Sequence, residues 1–346
     1  MSDLAEDHAR RPRATMKHVA ALAGVGIKTV SRVVNGEPNV AAATAAKVWD
    51  AVRTLDYHVD LQAGSLRRAD GRTRTIGLLV GSVDNPFAGA VHRAVEDAAS
   101  PRGVAVLAAS MDDDPHREDL AVRTFLQRRV DGLILTTAQA RPAYLETLRA
   151  RGIPSVFVDR DPLAEVDQVA SDNRDGAAAA TAHLIRHGHR RIALLADRLD
   201  IETARMRQAG FFDALGAAGI PTALAPTVTE LHTPEQARAA LAELLALETP
   251  PTAVFSSQNL VTVGALHALR EAGLQHQVAL VGFDDLPLAD LLDPGITVAA
   301  QDPQEIGRRA VELLFARLEG EDASARRIVV QTSLIPRGSG EIAAPA

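Results

Sequence analysis

MKHVAALAGVGIKTVSRVVNG, residues 16–36, predicts two short helices joined by a tight, glycine-containing turn. Thr15 can cap the first helix and Gly24 ends it, while apolar residues recur at helical spacing in both segments. Helices joined this closely can place the second one in a DNA major groove. The outer side of that helix carries four polar residues able to meet base edges or phosphates, Lys28, Ser31, Arg32 and Asn35. The alternative is a helical hairpin that only completes a small core.

Length and composition describe an ordinary globular protein. A chain of 346 residues has room for roughly two to three domains, and 47% apolar with 23% charged residues is typical of that class. With no cysteine, disulfides and thiolate metal sites are excluded. The polar start of the chain and the lack of any apolar run near 18 residues predict a cytoplasmic protein without a membrane partner.

Charge is distributed unevenly along the chain. Residues 1–75 hold twelve Lys and Arg against eight Asp and Glu, whereas the remainder holds 25 against 36. A basic head on an acidic body suits contact with nucleic acid at one end. All three lysines, Lys17, Lys28 and Lys47, lie in that head. The body therefore offers neither a P-loop lysine nor a Schiff-base lysine.

From Thr75 onward, short apolar runs alternate with amphipathic helices. Helical stretches such as 88–99, 117–128 and 176–187 separate seven predicted buried strands, at 76–80, 104–109, 132–137, 155–159, 191–196, 253–257 and 278–283. This alternation predicts an α/β protein with two doubly wound, Rossmann-like lobes and a cleft between them. Ligands of such folds bind beyond the carboxyl ends of the strands, so the residues that follow each strand are the candidates.

Several polar groups follow predicted strands. After the first strand, Asn85-Pro86-Phe87 either places an exposed ring against a flat ligand or begins a helix with Phe87 in the core. Asp159 and Arg160 end another strand, and acids with arginine are usual tools for gripping vicinal hydroxyls. Asp284 and Asp285 follow the last predicted strand, where one of the pair is expected to cap the next helix.

Catalytic signatures are missing. The sequence has no HExxH, no GxSxG, no GxxxxGK[ST] and no GxGxxG after a strand. His187 and His189 are metal-ligand types, but they lie in a turn without a nearby third ligand. We therefore predict a protein that is not an enzyme and uses neither a cofactor nor a metal.

These features together resemble the LacI/GalR family of bacterial transcriptional regulators over Thr15–Ser339. The head pattern A-x-x-A-G-V-x-x-x-T-V-S-R-V-x-N-G is present at 20–36, followed by V-x-x-x-T-x-x-x-V at 40–48 and L-x-Y at 55–57. Body strings typical of the family are NPF at 85–87, VDR at 158–160, GHRRIALL at 188–195, RxxGF at 207–211, GFDD at 282–285 and RGS at 337–339. The resemblance implies a helix-turn-helix head and two lobes of the periplasmic-binding-protein type.

The resemblance also implies a set of DNA-binding residues. Ile27, Lys28 and Arg32 correspond to the base readers, and a hinge helix is implied at Asp60–Leu66. The full DNA-binding set is Thr15, Ile27, Lys28, Thr29, Ser31, Arg32, Asn35, Ala63 and Leu66. His18 replaces the acid expected three residues after Thr15, so we expect the capping box of the first helix to be lost.

In the body, the resemblance implies that a small effector, a sugar, binds between the lobes and switches operator affinity. Its predicted contacts are Asn85, Phe87, Asp159, Arg160, Arg207, Gln258 or Asn259, Asp284 and Gln301. The implied partners are a palindromic double-stranded operator and a second copy of the chain. The RGS string is not followed by the leucine-heptad tail that makes some family members tetramers, so the implied oligomer is a dimer. The implied regulatory role is that of a repressor.

The predicted domain boundaries follow from these assignments. They are a tail at 1–14, a DNA-binding domain at 15–58, a hinge and linker at 59–74, an N-terminal lobe at 75–172 and 302–328, a C-terminal lobe at 173–301 and 329–340, and a second tail at 341–346. Three interpretations remain beside the sugar-responsive regulator. They are a purine- or nucleoside-responsive regulator with Phe87 stacked on a base, a sugar-binding protein that does not bind DNA, and an α/β enzyme.

Overall fold

The computed structural model describes residues 14–34, 37, 40–57 and 72–345. The chain divides into a head, residues 1–73, and a body, residues 74–346. No helix in these described stretches is long and apolar enough to cross a membrane.

The head contains the three predicted helices, α1 (Met16–Ala23), α2 (Ile27–Val34) and α3 (Ala42–Thr54). Gly24 ends α1 in the left-handed conformation that favours glycine, with φ of 66°. The apolar faces of the helices form one small core, in which Val19, Val30 and Val48 are fully buried. The opposite face of α2 remains available to solvent.

The capping box at the start of α1 is present, so the prediction that His18 removes it is wrong. The Thr15 hydroxyl accepts a hydrogen bond from the His18 backbone N–H, and the Thr15 N–H donates to His18 Nδ1 at 3.3 Å. A neutral imidazole nitrogen is an acceptor, and it therefore replaces the carboxylate that usually completes this motif.

The N-terminal lobe of the body is built on six parallel strands in the order β11-β5-β4-β3-β1-β2. The strands are β1 (Thr75–Val80), β2 (Ala105–Ser110), β3 (Gly132–Leu135), β4 (Ser155–Val158), β5 (Asp167–Ser171) and β11 (Arg327–Val330). The helices of this lobe are α4 (Pro86–Ala99), α5 (Pro115–Gln127), α6 (Tyr144–Ala150) and α11 (Pro303–Leu318).

The C-terminal lobe repeats the arrangement, with strand order β12-β10-β9-β8-β6-β7 and only β12 antiparallel to its neighbour among these strands. Its strands are β6 (Ile192–Leu195), β7 (Thr227–Val228), β8 (Ala253–Ser256), β9 (Ala279–Phe283), β10 (Thr297–Ala300) and β12 (Ser333–Ile335). Its helices are α7 (Asn173–Arg186), α8 (Glu202–Ala217), α9 (Pro234–Leu245) and α10 (Asn259–Glu271).

The chain crosses between the lobes three times. The first two crossings follow β5 and β10. The third follows β11, because Val329 and Val330 still pair with β5 and belong to the N-terminal lobe. β12 in the C-terminal lobe begins three residues after Val330.

The segment predicted as a second tail, 341–346, packs on the C-terminal lobe as far as the structure describes it. Glu341 accepts hydrogen bonds from Thr297 Oγ1 and from the Gly338 N–H, and it pairs with His183. The Ala344 N–H donates to the carbonyl of His187. Thr297, His183 and His187 lie more than forty residues away from this segment in sequence, so a local pattern could not identify these contacts.

We expect Gly210→Ala to destabilise the C-terminal lobe by about 1–3 kcal/mol, because the added methyl overpacks the α7–α8 contact. A Cβ at Gly210 would lie 2.0 Å from the Arg174 carbonyl oxygen. Gly216 on the same helix has no heavy atom within 4 Å of its Cβ position, so Gly216→Ala should stabilise by about 0.5–1 kcal/mol. Urea unfolding of both variants measures the difference, and equal midpoints would disprove the close approach.

Candidate functional site

A cavity of about 510 Å³ lies between the two lobes, beyond the carboxyl ends of their strands. The N-terminal lobe contributes residues that follow β1, β2, β3 and β4, and the C-terminal lobe contributes residues that follow β6, β8 and β9. This is the position at which doubly wound folds bind ligands. The cavity contains most of the predicted effector residues.

Asn85 and Phe87 form one wall of the cavity at the start of α4. The Asn85 Oδ1 atom caps the helix by accepting the Phe87 N–H at 2.9 Å, and Pro86 occupies the first helical position. Phe87 is half-buried, packs against the core of its lobe and also lines the cavity. The ring is therefore a core residue that also lines the cleft, and its contact with a ligand stays a prediction.

Asp159 and Arg160 follow β4, and their side chains are largely buried, at 14% and 11% exposure. Arg160 Nη1 donates to Asp113 Oδ1 at 2.6 Å and to the Thr137 carbonyl oxygen at 3.3 Å. Burial raises the pKa of Asp159, although the charges of Arg160 and Arg207 oppose that shift. Two of the buried atoms here have no hydrogen-bond partner among the described residues, Asp159 Oδ1 and Arg160 Nε.

Arg207 on α8 and Asp284 after β9 form the opposite wall. Arg207 Nη1 lies 3.6 Å from Asp284 Oδ2, and both side chains are at most 6% exposed. The guanidinium is also held by Asn173 Oδ1 at 2.7 Å and by the Ser257 carbonyl oxygen at 2.8 Å. It stacks 3.9 Å from the centre of the Phe283 ring. Arg207 is therefore fixed in one orientation before any ligand arrives.

Gln301 completes this wall. Its Nε2 atom donates to Asp284 Oδ1 at 2.6 Å, and its Oε1 atom is buried without a partner among the described residues. Asp285, by contrast, faces outward and pairs with Arg337 through both carboxylate oxygens, at 2.6 and 2.8 Å. The next element after the Asp284-Asp285 pair is the strand β10, and the helix that follows it, α11, is capped by Asp302, so the expectation that one of the pair caps the next helix is wrong. Asp285 instead accepts the Leu286 N–H of a turn.

Gln258 and Asn259 have different surroundings. Gln258 lines the cavity, caps α10 by accepting the Leu260 N–H at 2.9 Å, and donates to Asp197 Oδ2 at 3.3 Å. Asn259 does not line the cavity. Its Nδ2 atom donates to Asn85 Oδ1 at 2.7 Å and so connects the two lobes. The choice that the sequence left open is therefore resolved in position, with Gln258 at the cavity.

The polar residues that line the cavity and that the sequence did not single out include Asp113, Asp197 and His232. Asp197 lies two residues after the end of β6, so the rule that selected Asp159 could have found it. Asp113 lies in a run of three aspartates that is typical of a surface loop, and His232 follows a two-residue strand. The sequence around Asp113 and around His232 therefore does not indicate that they line the cavity.

The turn with His187 and His189 has a structural role. The buried His189 ring contacts Thr252 Oγ1 at 2.9 Å through Nδ1 and the Ile342 carbonyl oxygen at 2.8 Å through Nε2. Within the described ranges, no group of three or more His, Cys, Asp or Glu residues is arranged to hold a metal ion.

The predicted DNA-binding residues of the head lie largely on its surface. Thr15, Ile27, Lys28 and Arg32 are exposed, while Thr29 and Ser31 are half-buried. Arg32 Nε lies 3.6 Å from Glu37 Oε2 in an exposed ion pair. The predicted DNA contacts Asn35, Ala63 and Leu66, and the predicted hinge helix at Asp60–Leu66, lie outside the described residues.

Comparisons with known proteins agree with this architecture. Residues 15–60 match the model of "Bacterial regulatory proteins, lacI family", and residues 181–340 match that of a periplasmic binding protein-like domain. The chain is 37% identical to the HTH-type transcriptional regulator PtxS of Pseudomonas aeruginosa, over 95% of this chain and 96% of that protein. It is 33% identical to the ribose operon repressor of Escherichia coli, over 94% and 99%. The lac repressor dimer, solved with operator and the anti-inducer ONPF, matches with a TM-score of 0.82 at 26% identity, over 95% of this chain and 99% of that one.

Proposed function

The chain belongs to the LacI family of bacterial regulatory proteins, and from that premise we propose that a sugar bound in the cleft switches its affinity for an operator. The chain is a DNA-binding transcriptional regulator and not an enzyme. It acts as a dimer on double-stranded DNA. A dimer is suited to a palindromic operator, because the two-fold axis of the protein coincides with that of the DNA.

The observation that supports a sugar is the set of unpartnered polar atoms on the cavity wall. Asp159 Oδ1 and Gln301 Oε1 are acceptors, and Arg160 Nε is a donor, all buried without partners among the described residues. Buried polar groups without partners are costly. A hydroxyl both donates and accepts a hydrogen bond, so a ligand with several hydroxyls satisfies both kinds of atom.

The remaining predicted contacts fit this occupant. Phe87 offers an apolar face to one side of a sugar ring, and Arg207 with Asp284 offers a fixed charged pair to vicinal hydroxyls. Sugar binding biases the lobe arrangement only if it favours one arrangement over another. Residues from both walls contact the same cavity, so a ligand that touches both favours the closed lobes.

A purine or nucleoside is the second candidate, and Phe87 is the observation in its favour. An aromatic ring that lines the cleft can stack on a base as well as on a sugar face. A nucleoside also carries the hydroxyls that the unpartnered atoms require. The two candidates therefore differ in whether the free sugar or the free base is sufficient.

The test has two steps on the full chain. Selection from a random duplex library should first yield a palindromic operator. The operator complex is then titrated with D-ribose, gluconate, hypoxanthine and guanosine, with operator affinity and thermal stability as readouts. A sugar or sugar acid that changes operator affinity supports the proposal. An effect of hypoxanthine alone would favour the purine alternative, and failure to select any operator would revive the sugar-binding protein without DNA binding.

We expect Asp284→Asn to abolish the response to the sugar and to leave operator binding unchanged. The substitution removes a buried charge from the hydroxyl-binding pair at constant volume. Loss of a hydrogen bond to a charged group weakens sugar binding by about 1.5–3 kcal/mol. Asp285→Asn is the matched control, because Asp285 pairs outward with Arg337. A normal sugar response in the Asp284 variant would remove this residue from the site.

A further inference from the structure

A polar bridge connects the two lobes at one side of the cavity. His232 Nδ1 lies 2.9 Å from Asp197 Oδ1, and His232 Nε2 lies 3.7 Å from Asp113 Oδ2. His232 and Asp197 belong to the C-terminal lobe, and Asp113 belongs to the N-terminal lobe between β2 and α5. The imidazole therefore lies between carboxylates from opposite walls of the cleft.

The bridge extends to a predicted effector residue on each wall. Asp113 Oδ1 accepts Arg160 Nη1 at 2.6 Å, and Asp197 Oδ2 accepts Gln258 Nε2 at 3.3 Å. All five side chains line the cavity. A continuous series of polar contacts thus runs from Arg160 across the cleft to Gln258, with His232 at its centre.

The surroundings of His232 favour its protonated form. The hydrogen bond with Asp197 raises the pKa of His232, burial opposes that shift, and the charges of Asp197 and Asp113 raise it further. The other charged neighbour is Arg198, which acts in the opposite direction. Because Nδ1 is hydrogen-bonded to Asp197 and Nε2 lies at ion-pair distance from Asp113, an imidazolium attracts the carboxylates on both sides, whereas a neutral imidazole has no charge with which to hold Asp113.

We propose that His232 is a positioning residue whose imidazolium holds Asp113 and Asp197 together, closes the lobes and sets Arg160 and Gln258 around the effector. The effector part of this inference rests on the proposed function. The closure itself does not, because the bridge consists of protein groups alone. His232 is not proposed as a sugar contact, since both of its nitrogens already face carboxylates.

The bridge makes closure depend on pH in one direction. Asp113 faces His232 only when the lobes are closed, so the closed form binds the imidazole proton more tightly than the open form. Closure is fully supported below the pKa of His232 in the open form and is lost as the pH rises through its higher pKa in the closed form. One pKa unit of difference between the forms changes the closure equilibrium about tenfold. We expect sugar affinity to fall about threefold to tenfold across this window.

Nuclear magnetic resonance of histidine-labelled full chain tests the bridge without any ligand, with His232→Gln identifying the signal. Asp113→Asn should lower the pKa of His232, because the carboxylate of the opposite lobe is lost. Asp112→Asn is the matched control, since Asp112 accepts from Ser110 Oγ and pairs with Arg117. An unchanged His232 pKa in the Asp113 variant would overturn the bridge.

Energy transfer between two dyes tests closure. The chain has no cysteine, so cysteines introduced at exposed Arg123 on α5 and Glu243 on α9 label one site on each lobe. The labelled chain is mixed with an excess of unlabelled chain, so that each dimer contains at most one labelled copy. Between about pH 5 and about pH 8, the wild-type distance should increase, His232→Arg should stay closed because its charge persists, and His232→Gln should stay open.

The two proposals fail separately in this design. A wild-type distance that stays constant while His232 titrates would overturn the positioning role, whatever the chain binds. Intact pH-dependent closure with no binding of D-ribose, gluconate or guanosine would support the bridge and contradict the proposal of a sugar effector.

Discussion

Replacing Arg207 with methionine should destabilise the chain by about 3–5 kcal/mol, because it leaves the buried Asp284 carboxylate without its cation. Methionine preserves most of the volume, so the loss reports on charge and hydrogen bonds rather than on a cavity. Arg207 Nη1 lies 3.6 Å from Asp284, and the guanidinium also contacts Asn173, Ser257 and the Phe283 ring. We expect the surviving folded protein to show no sugar response. Chemical unfolding and operator titration measure the two effects.

Two further variants separate charge from structure in that experiment. Arg205→Met, two residues earlier on α8, is the matched control. The Arg205 side chain donates to two carbonyls of an exposed loop, and its loss should change stability by no more than about 0.5 kcal/mol. In the Arg207→Met background, Asp284→Asn should restore part of the lost stability, since it removes the orphaned charge. No recovery in that double variant would mean that Arg207 stabilises the lobe mainly through Asn173, Ser257 and Phe283.

The fold was predictable from sequence where burial is continuous. β1, β3, β4, β6, β8 and β9 are apolar runs whose residues are almost all buried, and parallel strands between helix layers require that pattern. β5 was missed because it begins with Asp167 and Gln168, both buried. The Asp167 carboxylate is held by Arg317, 150 residues later. Because tertiary structure brings Arg317 to Asp167, the sequence around β5 does not indicate that its polar residues are buried.

The residues of the candidate site also fall into two groups, those that the sequence could identify and those that depend on tertiary structure. Asp159, Arg160 and Asp284 each follow a strand, so topology alone brings them to one cleft. Asp113 and His232 meet only because two loops from different lobes approach each other. The sequence could identify the walls of the cavity, because each wall belongs to one sheet. It could not identify contacts that depend on how far the lobes close.

Replacing Arg32 with alanine should sharply reduce sequence discrimination by the head while leaving most nonspecific DNA binding. Arg32 is exposed on α2, and its ion pair with Glu37 is exposed as well, so its guanidinium can turn to a base edge. A bidentate contact to a guanine edge is worth about 1–3 kcal/mol of discrimination. The expected result is a fall of that size in the affinity ratio between the selected operator and a scrambled duplex, measured at fixed salt concentration.

Arg53→Ala is the matched control for that ratio, because it removes one exposed cation from the head at the end of α3. Arg53 pairs with Asp50 at 3.2 Å, much as Arg32 pairs with Glu37. If charge alone mattered, both variants would weaken operator and scrambled DNA equally, and the salt dependence of binding would change alike in both. If Arg32 reads a base, only its variant lowers the ratio. A ratio that survives Arg32→Ala would move base reading to Ile27 and Lys28, the other exposed residues of α2 in the predicted set.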